Sequence, residues 1–129
     1  MERVTGIGGL FFRSRGPKAL ADWYETYLGV RRVPGSYDEG SWWQDAGPTV
    51  FAPFARDTDY FGRTEQAWMV NFRVVDLDAM AAQLRSAGIA VDIDPEAYPN
   101  GRFARIEDPE GNPNQLWEPG GAELRPPSG

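Results

Sequence analysis

Neither cysteine nor histidine occurs in the chain. The first absence excludes disulfides, thiolate nucleophiles, cysteine-ligated zinc and iron–sulfur clusters, and nothing then points to an oxidising compartment. The second removes at once the commonest metal ligand and the commonest general base at neutral pH. Basic residues are outnumbered, 13 Lys and Arg against 19 Asp and Glu, and they are scattered, so a formal net charge of −6 argues against neutralising a nucleic-acid backbone. No apolar run approaches the roughly 18 residues needed to cross a bilayer, and no basic region followed by an apolar stretch opens the chain. These exclusions lead to the expectation of a cytoplasmic protein with neither nucleic-acid nor membrane partners.

What is present suffices for one domain: 129 residues, 41% hydrophobic and 13% aromatic, can bury a substantial core. Residues 5 to 13 read as a strand entered through glycines. Gly6-x-Gly8 precedes that strand instead of following one, so it lacks the context of a phosphate-cradling loop. Pro17 then suits the first position of a helix, Leu20, Trp23, Tyr24, Tyr27 and Leu28 repeat along one apolar face, and Gly29 closes it. Short strand-like runs follow at residues 30 to 33, 41 to 45 and 49 to 54, divided by Pro34-Gly35 and Ala46-Gly47-Pro48.

The same order recurs. Residues 67 to 75 alternate, with Val70, Phe72 and Val74 on one face and Met69, Asn71 and Arg73 on the other. Asp76 is a good N-cap for a helix whose apolar face is Leu77, Met80, Ala81, Leu84 and Ala87, ending at Gly88. Strand-like runs recur at residues 89 to 93, 102 to 107 and 114 to 118. Setting Phe12-Arg13 over Phe72-Arg73 aligns Gly29 with Gly88 to within a residue, which marks an internal duplication. Each half reads β-α-β-β-β. The expected domain spans residues 1–119, with module one at about 4–54, a polar link at 55–66, module two at about 67–119, and a flexible Gly- and Pro-rich tail at 120–129. Asp108-Pro109-Glu110-Gly111-Asn112 is a turn in which Gly111 can take positive φ, and beyond it Gln115 and Trp117 share one strand face while Leu116 and Glu118 share the other.

Two such modules, a helix ending Tyr27-Leu28-Gly29, the stretch Val70 to Asp78 and the closing Asp108 to Asn112 resemble the vicinal oxygen chelate superfamily, which includes glyoxalase I, bleomycin-resistance proteins and extradiol dioxygenases. The resemblance covers residues 4 to 119 and implies an α+β fold, two βαβββ modules forming a curled mixed sheet around a cup. In metal-dependent members, His and Glu ligands come from four strands. The matching positions here are Gly9, Val50 (Thr49 if the register slips by one), Met69 and Gln115, none of them a strong ligand.

On strand parity the cup holds Phe11, Met69, Asn71, Gln115 and Trp117, with Trp42 and Tyr60 as walls or lid and Arg102 or Arg105 at its mouth, Arg102 being the expected site residue. Such a lining suits a neutral or aromatic organic molecule bound without a metal or other cofactor. Gln115 and Asn71 can instead be buried amides that satisfy the sheet, and Trp42-Trp43 can divide between core and a dimer contact. Asp57-x-Asp59 reads as turn capping before it reads as a cation site. Three functions stay open: a small-molecule binding protein acting as a homodimer, an enzyme of the lyase, isomerase or dioxygenase type, or a dimeric interaction module.

Overall fold

In the computed structural model, which describes residues 1–128, the chain forms two α-helices and a mixed sheet of four strands. Gly129, the last residue of the expected tail, lies outside the described residues. The elements are α1 (Pro17–Leu28), β1 (Val70–Arg73), α2 (Leu77–Ser86), β2 (Asp92–Ile93), β3 (Gly101–Glu107) and β4 (Pro113–Pro119), in the sheet order β1-β4-β3-β2. β4 is parallel to β1 and antiparallel to β3, so the closing strand of the chain is central in the sheet.

Both helices lie where the apolar periodicity predicts. Pro17 occupies the first turn of α1, and left-handed Gly29 ends it. Asp76 caps α2 by accepting from the Ala79 N–H at 3.0 Å, and Glu118 of β4 accepts from the Leu77 N–H at 2.8 Å. Two of the helix's orphan donors are thereby satisfied. Leu77, Ala81 and Leu84 of α2 pack with Val91, Ala104, Ile106 and Leu116 to form the core, and Trp23, Tyr27, Leu28 and Phe72 pack around it. All of these strand residues lie on the helix-facing side, as alternation requires.

A buried polar lock joins α1 to the sheet. The Tyr24 hydroxyl donates to Asp108 Oδ2 at 2.7 Å and accepts from Asn114 Nδ2 at 3.0 Å. Asp108 also accepts from the Glu110 and Asn112 N–H groups and from Asn112 Nδ2, at 2.8, 3.0 and 2.8 Å, closing the turn that left-handed Gly111 completes. Burial pushes the Tyr24 hydroxyl well above its ordinary value, so the phenol remains a proton donor. Glu110 reaches back from that turn to the start of α1, accepting from the Ser14 hydroxyl at 2.6 Å and the Arg15 N–H at 2.9 Å. At the far end of β4, Gly101 holds φ at 131°, and a Cβ there would lie 2.1 Å from the Glu118 carbonyl oxygen, so only glycine fits.

The first module departs from expectation. Its helix forms, but residues 5 to 13, 30 to 33, 41 to 45 and 49 to 54 make no strand ladder within the chain. β-branched and aromatic residues suit a pleated, half-buried surface without creating one, and these segments meet no strand that could supply it. In the tail a short 3₁₀ turn forms at Gly121–Leu124, and the Gly120 N–H donates to the Asn100 carbonyl at 3.0 Å.

Leu116 is fully buried at the centre of this core, and Leu116→Ala is expected to lower unfolding free energy by about 2–5 kcal/mol, read by urea denaturation. The Ser14 hydroxyl and backbone N–H groups hold the Glu110 carboxyl below its ordinary value of 4.5. A depressed folded-state value means that the clamp's contribution is complete above that ordinary value and fades as pH falls through the depressed one. Glu110→Gln should therefore flatten part of the acid limb of Tm against pH while leaving the slope near neutrality unchanged.

Candidate small-molecule site on the open sheet face

Alternation divides β4 between two tasks. Asn114, Leu116 and Glu118 serve the helices, whereas Gln115 and Trp117 face the side that carries no helix. The registers Asn71↔Gln115 and Gln115↔Arg105 set three polar side chains in one row across β1, β4 and β3. Arg73, Trp117 and Phe103 form the next row.

The first row is hydrogen-bonded along its length. Asn71 Nδ2 donates to Gln115 Oε1 at 2.7 Å, and Gln115 Nε2 donates to the Tyr60 hydroxyl at 2.5 Å. Arg105 Nη1 donates to the Tyr60 carbonyl at 2.6 Å. The link between modules thus crosses the sheet as a strap, with the Tyr60 side chain on Gln115 and its backbone on Arg105. Phe54 backs the Tyr60 ring at a centroid distance of 5.5 Å, and Phe61 packs on Phe54 at 5.0 Å. Arg73 Nη2 donates to the Asp45 carbonyl at 2.7 Å, which draws a first-module segment over the second row.

Trp117 supports the face more than it lines it. Its indole donates to the Asn100 carbonyl at 2.9 Å, its ring lies parallel to that of Phe103, and only 3% of the residue is exposed. Phe103, half-buried, is the accessible aromatic of the row. Tyr98 meets it edge-on at 5.9 Å, and a hydrogen bond to the Asp94 carboxylate pushes the Tyr98 hydroxyl up to about 12, so the phenol keeps its proton.

The structure brings Asn71, Gln115, Trp117 and Tyr60 together, and Met69 lies half-buried just before β1. Other expected positions fall elsewhere. Phe11 is 94% exposed and folds its ring back over Gly9, away from the sheet. Trp42 is the more covered of the tryptophan pair, at 41% exposure against 91% for Trp43, and neither meets another aromatic ring among the described residues. Arg102 lies on the helix side, where Nη1 and Nη2 reach the Asp78 carboxylate at 3.0 and 3.1 Å. The arginine of β3 that faces the open side is Arg105. Phe103 was not singled out from sequence, although its alternation with Arg105 and its place opposite Trp117 are the signals that find it. Asp57 and Asp59 sit in successive turns, and the Asp59 carbonyl accepts from the Gly62 N–H.

A metal does not fit the residues present. Gly9 offers no side chain, Val50 and Met69 offer no hard donor, and both amide atoms of Gln115 are committed to Asn71 and Tyr60. Among the described residues, no three His, Cys, Asp or Glu side chains converge. Two surface concavities lie away from this face. The larger, about 390 Å³, sits between the start of α1 and Pro109-Glu110, over Leu20 and Trp23. No first-module strand pairs beside the sheet to wall this face in.

No helix is long and apolar enough to cross a membrane among the described residues. No curated protein matches the chain. Solved structures do. A glyoxalase/bleomycin resistance protein from Streptomyces sp. CB03234 shares 37% identity, with the match covering 41% of this chain and 46% of that chain at a TM-score of 0.36. TnmS3, an antibiotic binding protein from the same organism, shares 26% identity over 81% of this chain and 88% of that one, with a TM-score of 0.49. A protein of Bacillus anthracis assigned to the glyoxalase family has the same fold at 19% identity, covering 79% of this chain and 83% of that one, with a TM-score of 0.51. The model of the glyoxalase-like domain matches residues 9–117, nearly the whole of both modules. With that match and an α+β architecture of the glyoxalase/bleomycin-resistance type, the chain belongs to the glyoxalase-like domain family, within the vicinal oxygen chelate superfamily.

Proposed function

We propose that the chain binds a small, planar organic molecule on the open face of its sheet, without a metal. The observation that carries this reading is the row Asn71–Gln115–Tyr60, polar groups held at fixed positions beside the Phe54, Tyr60 and Phe103 rings. Sparse, oriented polar groups among aromatic side chains are the usual make-up of a small-molecule site. A metal-dependent lyase, isomerase or dioxygenase would need hard donors where this chain has Gly9, Val50, Met69 and Gln115. A chain without cysteine needs no oxidising compartment, and the cytoplasm is the setting this reading assigns.

A second component concerns the partner. β1 is an edge strand, and Phe11, Trp43 and Phe51 of the unpaired first module are exposed. An open edge and apolar segments of this kind invite pairing with another chain. The functional unit proposed is a two-fold homodimer in which the two-module domain of residues 1–119 is completed between copies, so that a partner's first module walls the cup.

Elemental analysis of protein purified without added metal should find zinc, nickel, iron and manganese far below stoichiometry. A thermal-shift series of aromatic acids, quinones and aromatic antibiotics should raise Tm in a concentration-dependent way, because binding to the native state stabilises it. A stoichiometric metal, or no shift across the series, would sink the reading. For the dimer, light scattering at micromolar concentration is expected to give twice the mass of the chain, and a monodisperse monomer with undiminished ligand binding would refute it.

A further inference from the structure

We infer that Arg105 makes the cup selective for a planar aromatic anion, a carboxylate or an ionised phenol. This rests on reading the open face as a small-molecule site, and it narrows the neutral or aromatic ligand expected from the sequence to an aromatic one that carries charge. The ion pairs of the described residues involve Lys18, Arg32, Arg63 and Arg102. Neither Arg73 nor Arg105 is among them, although acidic residues outnumber basic ones 19 to 13. The contrast within β3 is informative: Arg102 spends both terminal nitrogens on Asp78, whereas three residues later Arg105 gives one N–H to the Tyr60 carbonyl.

Two carboxylates share the neighbourhood of Arg105. Asp92 is its cross-strand partner on β2, and Glu107 lies two residues along on the same face. Neither forms an ion pair with it in the structure, and the Tyr60 carbonyl is the hydrogen-bond acceptor that Arg105 meets among the described residues. A guanidinium presents five N–H donors in a planar fork that matches a carboxylate, so one bond to a carbonyl leaves a bidentate edge free. The bond to Tyr60 also fixes the fork, which lowers the rotamer entropy lost when an anion docks.

The surroundings favour an aromatic body behind that anion. The Tyr60 ring, stacked on Phe54, belongs to the residue whose carbonyl holds the guanidinium, and half-buried Phe103 lies two residues along β3 on the same face. The Tyr60 hydroxyl accepts from Gln115, which leaves its own proton to donate. Long-range repulsion from the −6 chain does not oppose this strongly, since charges beyond a Debye length of about 10 Å are screened at 0.1 M salt.

The test uses the full chain and two matched probes, 2-naphthoate and its neutral methyl ester, titrated by calorimetry. Wild-type protein is expected to bind the naphthoate at least about ten-fold more tightly than the ester. Arg105→Gln should abolish that preference while keeping affinity for the ester, Arg105→Lys should restore part of it, and Arg102→Gln should leave it intact. Equal affinities in the wild type, or a preference that survives Arg105→Gln, would overturn the inference and leave the aromatic site standing. If the naphthoate fails to bind while neutral aromatic molecules raise Tm, the charge assignment alone falls. If nothing aromatic binds at all, the small-molecule reading falls with it.

Discussion

The carboxylate of Asp108 holds together parts of the chain that are far apart in sequence. It accepts four hydrogen bonds, from the Tyr24 hydroxyl, from two backbone N–H groups of its own turn and from the Asn112 amide. A buried carboxylate is tolerable only when its lone pairs are met in this way. The consequence reaches β4, because the turn sets the residue at which that strand begins. Side chains alternate with a period of two, so a slip of one residue would carry Leu116 out of the core and Gln115 into it. The lock on Asp108 therefore decides, several residues away, that an amide and not a leucine faces the open side.

The two modules fare differently for a reason rooted in how helices and strands satisfy their backbones. α1 makes its hydrogen bonds internally and needs only somewhere to lay its apolar face, which it finds beside Phe72 and Asn114 of the second module. A strand has no such independence, since half of its ladder must come from a neighbour. First-module segments rich in Val, Phe and Trp thus stay unpaired, though they touch the second module where a single polar or aromatic contact suffices. Arg73 takes the Asp45 carbonyl, and the Phe12 ring meets Trp68 at 4.7 Å.

What could be read from the residues follows the same division. The helices were legible from apolar periodicity and their caps, and the second-module strands from alternation, because local order and tertiary placement agree there. The faces of Asn71, Gln115 and Trp117 followed from parity. The first-module strands were not legible in the same sense, since composition indicates a preference and pairing depends on a partner. The choice between Arg102 and Arg105 turned on the faces of β3: parity puts them on opposite sides, and the burial of Ala104 and Ile106 with the position of Asp78 on α2 says which face is which. Tyr60 lies in a link without periodicity, so its place over Gln115 could be suspected from its ring and not fixed.

The neutral amide at Gln115 does something that a carboxylate at the same position could not. A carboxylate has only acceptors, so it would take hydrogen bonds from both Asn71 and Tyr60 and consume the phenolic proton. Gln115 accepts from Asn71 and donates to Tyr60, and the chain of polarity runs one way, from Asn71 through Gln115 to the Tyr60 hydroxyl. The proton at the end of that chain meets no acceptor among the described residues, and the Arg105 guanidinium is held by the carbonyl of the same tyrosine. Two donors and no fixed negative charge on the row offer a cation nothing to bind. Under the proposed reading such an arrangement suits an oxygen that carries negative charge, and the amide at Gln115 is what gives the row its polarity.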